Sequence, residues 1–148
     1  MNFALDTNIL AYAEGVNGPV KRASAETLLR ALPLANTIVP VQVLGELFNV
    51  LVRKAKWHHS TAERAVLNWR TTYLRIETTE TLLLIALELA ARQHFFIWDA
   101  VILAAAAQAR CNVLVSEDFQ DGFVWQGVTV CNPFAPKPHP LIAHFVGR

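Results

Sequence analysis

The apolar positions of this chain fall into short blocks with two different periods. Asn2 to Leu5, Thr37 to Val39, Tyr73 to Ile76, Asn112 to Val115 and Val128 to Val130 are brief runs, mostly β-branched or wholly apolar, of strand character. Between them lie longer stretches in which apolar residues recur every three or four positions, the mark of amphipathic helices. These are predicted over Ile9 to Glu14, Val20 to Leu32, Pro40 to about Lys54, Ser60 to about Arg70, Thr79 to Gln93 and Phe95 to Ala109. Thr7 and Asn8 are the candidate caps of the first helix, and Ser60 with Glu63 has the capping-box spacing. Strands alternating with helices imply a parallel sheet covered on both faces. The stretch from Asn132-Pro133-Phe134 onward, a proline-rich tail over 133–148, shows neither period and is expected to run over the surface.

Against this pattern four acids stand out. Asp6 ends the apolar run of the first strand, where ligands of an open α/β sheet bind. Asp118 follows the strand Asn112 to Val115 after only Ser116 and Glu117, which repeats that arrangement. Asp99 is the one charged side chain between Phe95 and Ala109, and it lies in the first turn of its helix, where the dipole favours a negative charge. Glu46 sits inside a helix between Val43 and Val50, three before and four after it, so its own stripe is apolar.

Singly, each acid has an ordinary explanation. Asp6 fits a helix cap, Asp99 a dipole partner, and Asp118 with Asp121 a loop around Gly122. Together they can face one crevice at the carboxyl edge of the sheet. Four carboxylates there would repel one another unless some were protonated or a cation were present. Oxygen donors without neighbouring His or Cys suit Mg²⁺ or Mn²⁺ better than zinc. Other candidates are weaker: the adjacent His58 and His59 make poor co-ligands, the four tryptophans read as core or interface aromatics, and Ser116 has no His partner for nucleophilic work. The cluster Arg53, Lys54 and Lys56 reads as a solvated helix end that can also hold a phosphate backbone.

Composition narrows the rest. With 148 residues the chain fits one domain, 1–148, and needs no disulfide to bury a core. Its 53% hydrophobic content is divided into runs too short to cross a bilayer, and no export signal opens it, so a soluble cytoplasmic protein is expected. Cys111 and Cys131 lack any metal-ligand spacing and read as buried free thiols. A formal net charge of +1 excludes a basic coat that binds nucleic acid by charge alone, although a local cation site could still attract phosphate.

Leu5-Asp6-Thr7-Asn8, Val43-Leu44-Gly45-Glu46-Leu47, Trp98-Asp99-Ala100, Ser116-Glu117-Asp118-Phe119 and the ending Asn132-Pro133-Phe134 carry a resemblance that spans nearly the whole chain. In order and spacing they resemble the PIN-domain ribonucleases, in particular the toxin half of bacterial VapBC toxin–antitoxin pairs. The resemblance implies a three-layer α/β/α PIN-like domain with a short central parallel sheet. It also implies an endoribonuclease, dependent on Mg²⁺ or Mn²⁺, that inhibits translation, forms a homodimer and is blocked by a VapB-type antitoxin. Asp6, Glu46, Asp99 and Asp118 match the family's catalytic, metal-holding acids. Asn8 and Ser116 match its polar supports, with Thr7 beside them, and Glu117, Asp118 and Asp121 all compete for the last acidic position. The alternative is a PIN-like module that binds RNA or protein without cutting. A phosphotransfer enzyme with Asp6 as nucleophile fits less well, because dehalogenase-like phosphatases usually place a second Asp where Asn8 stands.

Overall fold

A computed structural model describes residues 1–147. The first strand, β1 (Phe3–Leu5), leads into α1 (Thr7–Ala13) and α2 (Pro19–Ala31). After a 3-10 turn at Leu34–Asn36 come β2 (Thr37–Pro40), α3 (Val41–Arg53), α4 (His59–Thr72) and β3 (Leu74–Ile76). α5 (Glu80–Gln93) and α6 (Ile97–Gln108) precede β4 (Val113–Val115), and β5 (Val124–Trp125), β6 (Val128–Cys131) and α7 (Pro140–Ala143) finish the fold.

The strands form one sheet in the order β3-β2-β1-β4-β6-β5. All neighbours are parallel except the β5–β6 hairpin at the edge. That hairpin is absent from the apolar pattern because its turn rests on backbone geometry: Gln126 and Gly127 both have positive φ, 49° and 80°, as a two-residue primed turn requires. The chain steps from β1 outward to β3 and then returns to place β4 on the other side of β1. The strand order thus reverses between β1 and β4, the switch point at which α/β sheets open a crevice beyond their strand ends.

Every residue of β1 and β4 is buried, and their register pairs Phe3 with Val113 and Leu5 with Val115. α6 supplies the heaviest helical part of the core: Ala100 to Ala106 are buried without interruption, as its apolar sequence predicts. Its ends differ, since Trp98 and Gln108 are exposed. α3 buries Val43, Leu44, Leu47 and Leu51, while Phe48 and Ala55 pack at the margin. Cys111 and Cys131 are buried free thiols, and burial pushes them up to about 11 and about 12 respectively, Asp121 adding to the second.

Three local expectations are corrected. The cap of α1 is Asp6 rather than Thr7 or Asn8; its carboxylate accepts from the Thr7 N–H, and the helix begins two residues earlier than the apolar pattern shows. Ser60 caps nothing, because α4 starts at His59 with His58 as an N-cap that makes no side-chain bond, which leaves Ser60 inside the first turn. The tail is not structureless: α7 opens at Pro140, the His139 side chain accepts from the Leu141 N–H, and Ile142 is fully buried. Phe145 also places its ring edge-on to Phe3, centroids 5.3 Å apart, so the tail closes over the first strand. One buried residue in four is too sparse a signal for periodicity to register.

Candidate active site

The switch point determines which side chains meet. Asp6 directly follows β1, its backbone N–H donating to the Val115 carbonyl of β4 at 3.0 Å, so the strand pairing continues one residue past the sheet. This fixes Asp6 with only 1% of its surface exposed. One carboxylate oxygen accepts from the Thr7 N–H at 2.6 Å. The other accepts the Ser116 hydroxyl at 2.5 Å and lies 3.5 Å from the Asn8 amide. Ser116 is fully buried and follows β4 at the position level with Asp6; its oxygen also accepts the Asp118 N–H at 3.0 Å. The loop carrying Asp118 is therefore tied to Asp6 through one hydroxyl.

Asn8 lies one helical position further along α1 than Thr7. Its Nδ2 donates to the Asp118 carboxylate at 3.1 Å, which brings the exposed Asp118 over the strand ends. Its Oδ1 is buried and has no hydrogen-bond partner among the described residues. Thr7, the first residue of α1, donates its hydroxyl to Glu46 at 2.7 Å, and Gln42, one turn earlier on α3, donates to the other Glu46 oxygen at 3.0 Å. The glutamate that interrupts an apolar stripe is held half-buried by two neutral donors, while Arg53, the partner its position on α3 would suggest, makes no ion pair among the described residues.

Electrostatics ties Asp99 to the same place. Its carboxyl is raised to about 6, chiefly by burial, with the charges of Asp118 and Glu46 contributing in the same direction. Asp6 is raised to about 7, chiefly by burial; Ser116 and the Thr7 N–H oppose the shift, while Asp118 and Glu46 add to it. Asp6 and Asp99 thus both feel the charges of Asp118 and Glu46. A cavity of about 390 Å³ adjoins Glu46 and Asp118, lined with them by Thr7 and Asn8 on one side and by Tyr12, Val16 and Lys54 on the other.

The remaining acids of the β4 loop point elsewhere. Glu117 pairs with Lys21 at 2.8 Å and accepts the Tyr12 hydroxyl, and the Lys21 ammonium also lies 4.1 Å from the Phe134 ring centre. Asp121 accepts the Asn132 N–H at 2.8 Å, so this expected support ties the β4–β5 loop to the residue after β6 and makes no bond to the cluster among the described residues. The sequence pattern carries no signal for Tyr12, and for Gln42 only the placement of a polar residue one turn before Glu46.

The donor set suits a hard divalent cation in its chemistry. All candidate ligands are oxygens, no His or Cys lines the crevice, and a buried amide oxygen stands unpartnered beside two carboxylates. No three acidic, His or Cys side chains form a closed ligand group among the described residues. The carboxylate oxygens are met instead by Thr7, Gln42, Asn8 and Ser116.

Comparison with known proteins matches residues 3–120 to the family model described as the PIN domain. No curated protein sequence matches the chain. Among solved structures, VapC20 of Mycobacterium tuberculosis, described as a sarcin-ricin loop cleaving toxin, superposes with a TM-score of 0.69 at 19% identity, covering 84% of this chain and 98% of that one. A toxin–antitoxin complex from Klebsiella pneumoniae gives 0.63 at 22% identity, covering 86% and 96%. DNA-bound VapBC from Salmonella typhimurium gives 0.64 at 15% identity, covering 88% and 96%. Likeness at these identities establishes a shared fold.

Proposed function

Because the chain belongs to the PIN-domain family, we propose that it is an endoribonuclease dependent on Mg²⁺ or Mn²⁺ and the toxin of a VapBC-type toxin–antitoxin pair. The observation that supports this reading is that Asp6 and Asp99, both raised chiefly by burial, each also feel the charges of Asp118 and Glu46. A divalent cation held by these four would supply Lewis acidity toward a phosphodiester and make water a competent nucleophile near neutral pH. Ser116 keeps Asp6 in place, Thr7 and Gln42 aim Glu46, and Asn8 holds Asp118 over the crevice. No histidine lines the cavity to serve as base for a ribose 2′-hydroxyl, so products with 5′-phosphate and 3′-hydroxyl ends are expected.

The toxin role extends the similarity to toxin–antitoxin complexes to this chain's own partners: a VapB-type antitoxin, a second copy of the chain, and an RNA whose cleavage stops translation in the cytoplasm. No helix among the described residues is long and apolar enough to cross a membrane. Purified protein incubated with RNA and Mg²⁺ or Mn²⁺ tests the activity. Cleavage that requires the metal and is lost with EDTA and with Asp6→Asn supports it. Cleavage that survives both controls refutes the site, and binding of RNA without any cleavage favours a non-catalytic module. Growth arrest on induction, relieved by the adjacent small open reading frame, is the corresponding test of the toxin role.

A further inference from the structure

The cavity beside the acids does not end there. Val16 and Lys54, which close it, also line a second cavity of about 420 Å³ around Gly15 and Asn17. Glu14 and Trp57 bound both that cavity and a third of about 500 Å³. The third is walled by Thr61, Arg64, Asn68, Trp69 and Thr72 of α4. Their spacing of three and four places them on one helix face, which at 1.5 Å per residue extends about 16 Å. A continuous groove therefore leads away from the acidic cluster.

We propose that this groove is the track for single-stranded RNA, with phosphates held by Lys54 and Arg64 and bases stacked on Trp57 and Trp69. It rests on the nuclease reading above and names how the substrate reaches that site. Both cations are exposed and make no ion pair among the described residues, and Arg53 and Lys56 add positive charge at the same helix end. Both indoles are half-buried and held in place. Lys56, with φ of 61°, turns the chain so that the Trp57 N–H donates to the Leu51 carbonyl at 3.0 Å. Trp69 is braced by Tyr73, the two rings 6° from parallel with centroids 6.2 Å apart. Rigid aromatic faces alternating with free cations are what a single strand requires, since stacking tolerates any base and the charges follow the backbone. Glu14 is the one acid lining the second and third cavities among the described residues; burial raises its carboxyl and the charge of Arg22 opposes the shift. A peptide in the same groove would leave the free cations without acidic partners unless its own side chains supplied them.

The test compares RNA affinity with turnover of a small phosphodiester. Binding of a labelled mixed-sequence single-stranded RNA is measured in Mg²⁺ on an Asp6→Asn background, so that the strand stays intact. Arg64→Glu and Trp69→Leu should each weaken binding about tenfold or more, whereas Trp69→Phe keeps a stacking face and should stay within about threefold of the parent. Arg64→Gln should lower the slope of log affinity against log salt by about 0.7. With Asp6 restored, the same groove variants should hydrolyse bis(p-nitrophenyl) phosphate at the parent rate, because so small a diester does not occupy the track. Parent-like RNA affinity and salt slope in Arg64→Glu, Arg64→Gln and Trp69→Leu overturn the proposal. If those variants instead lose a co-expressed protein partner, the groove is a protein-docking surface and the proposal is equally overturned. Failure of the parent to hydrolyse any diester, with groove-dependent RNA binding intact, would refute the nuclease reading and leave the track standing.

Discussion

The ends of β1 and β4 look alike in sequence, each an apolar run that stops at polar residues, yet they carry out different tasks. Their register pairs Leu5 with Val115, so the residue level with Asp6 is Ser116 and not Asp118. A hydroxyl therefore faces the buried carboxylate where a second acid would have repelled it. Asp6 is buried, caps α1 and accepts from two firm donors, Thr7 N–H and Ser116. Asp118, two residues further out, is exposed and is held by Asn8 and by its own N–H on Ser116. One acid is fixed by the fold; the other is on a short leash.

Substituting the two acids separately should expose that difference most strongly. Asp6→Asn and Asp118→Asn should each reduce metal-dependent RNA cleavage, Asp6→Asn by about a thousandfold, a loss of several kcal/mol of transition-state stabilisation. Stability should separate them. Asp6 ionises at 3.8 when unfolded but near 7 in the fold, so between those values the native state binds the extra proton. Its contribution is complete below about pH 4 and is lost as pH rises to about 7. In EDTA, Asp6→Asn should therefore raise the melting temperature at pH 8 and flatten the fall between pH 4 and 7, a gain on the order of a few kcal/mol. Asn is as good an N-cap as Asp, so α1 keeps its start. Asp99, raised to about 6, should leave a shallower slope of the same sign. Asp118→Asn removes a charge that helps raise Asp6 and Asp99, so it should keep the fall and only move it toward lower pH; equal thermal shifts in the two variants would contradict the division between a buried and a tethered acid.

Asp6, Asp99 and Glu46 were readable as anomalies because each breaks an apolar pattern at a place with a physical meaning: a strand end, a helix start and a buried stripe. Glu117, Asp118 and Asp121 could not be told apart, because three acids in five loop residues have no period to violate. They are sorted only by distant partners, Lys21 and Tyr12 for the first, Asn8 for the second and the Asn132 N–H for the third. The cap of α1, open in sequence between Asp6 and Thr7 or Asn8, and the start of α4 are ambiguous for a similar reason. Asp6 serves as strand end and cap at once, while Ser60 has the right spacing without the right start. The β5–β6 hairpin depends on positive φ at Gln126, a residue with no turn preference to reveal it.

Ser116 links the two loop ends, so its removal should show an intermediate effect. Ser116→Ala deletes the donor to Asp6 and the acceptor of the Asp118 N–H together. Loss of a buried hydrogen-bond partner costs about 1–3 kcal/mol. Thermal unfolding should register that loss, and cleavage should fall about tenfold with a higher Mg²⁺ requirement, because both acids lose their common anchor. Ser116→Thr, which keeps the hydroxyl, should recover part of the Mg²⁺ response. An alanine variant with parent-like metal dependence would mean that the hydroxyl does not position either acid.

The smallest effects are expected at Glu117, the acid nearest in sequence to Asp118. Its carboxylate and the Lys21 ammonium retain 21% and 34% side-chain exposure, so their pair is only partly shielded from water. Exposed pairs contribute about 0–1 kcal/mol, and the contact of Lys21 with the Phe134 ring persists when the carboxylate is neutralised. Glu117→Gln can still accept the Tyr12 hydroxyl, so it should lower stability by less than about 1 kcal/mol. Cleavage should remain within about twofold of the parent, since the Glu117 carboxylate is engaged by Lys21 and by the Tyr12 hydroxyl and makes no bond to the other acids' partners among the described residues. Measured beside Asp118→Asn on the same RNA, this variant decides which acid of the β4 loop serves the site. A loss at Glu117 as deep as that at Asp118 would mean that the clamp holding Glu117 opens during turnover and that the loop presents both carboxylates to the cation.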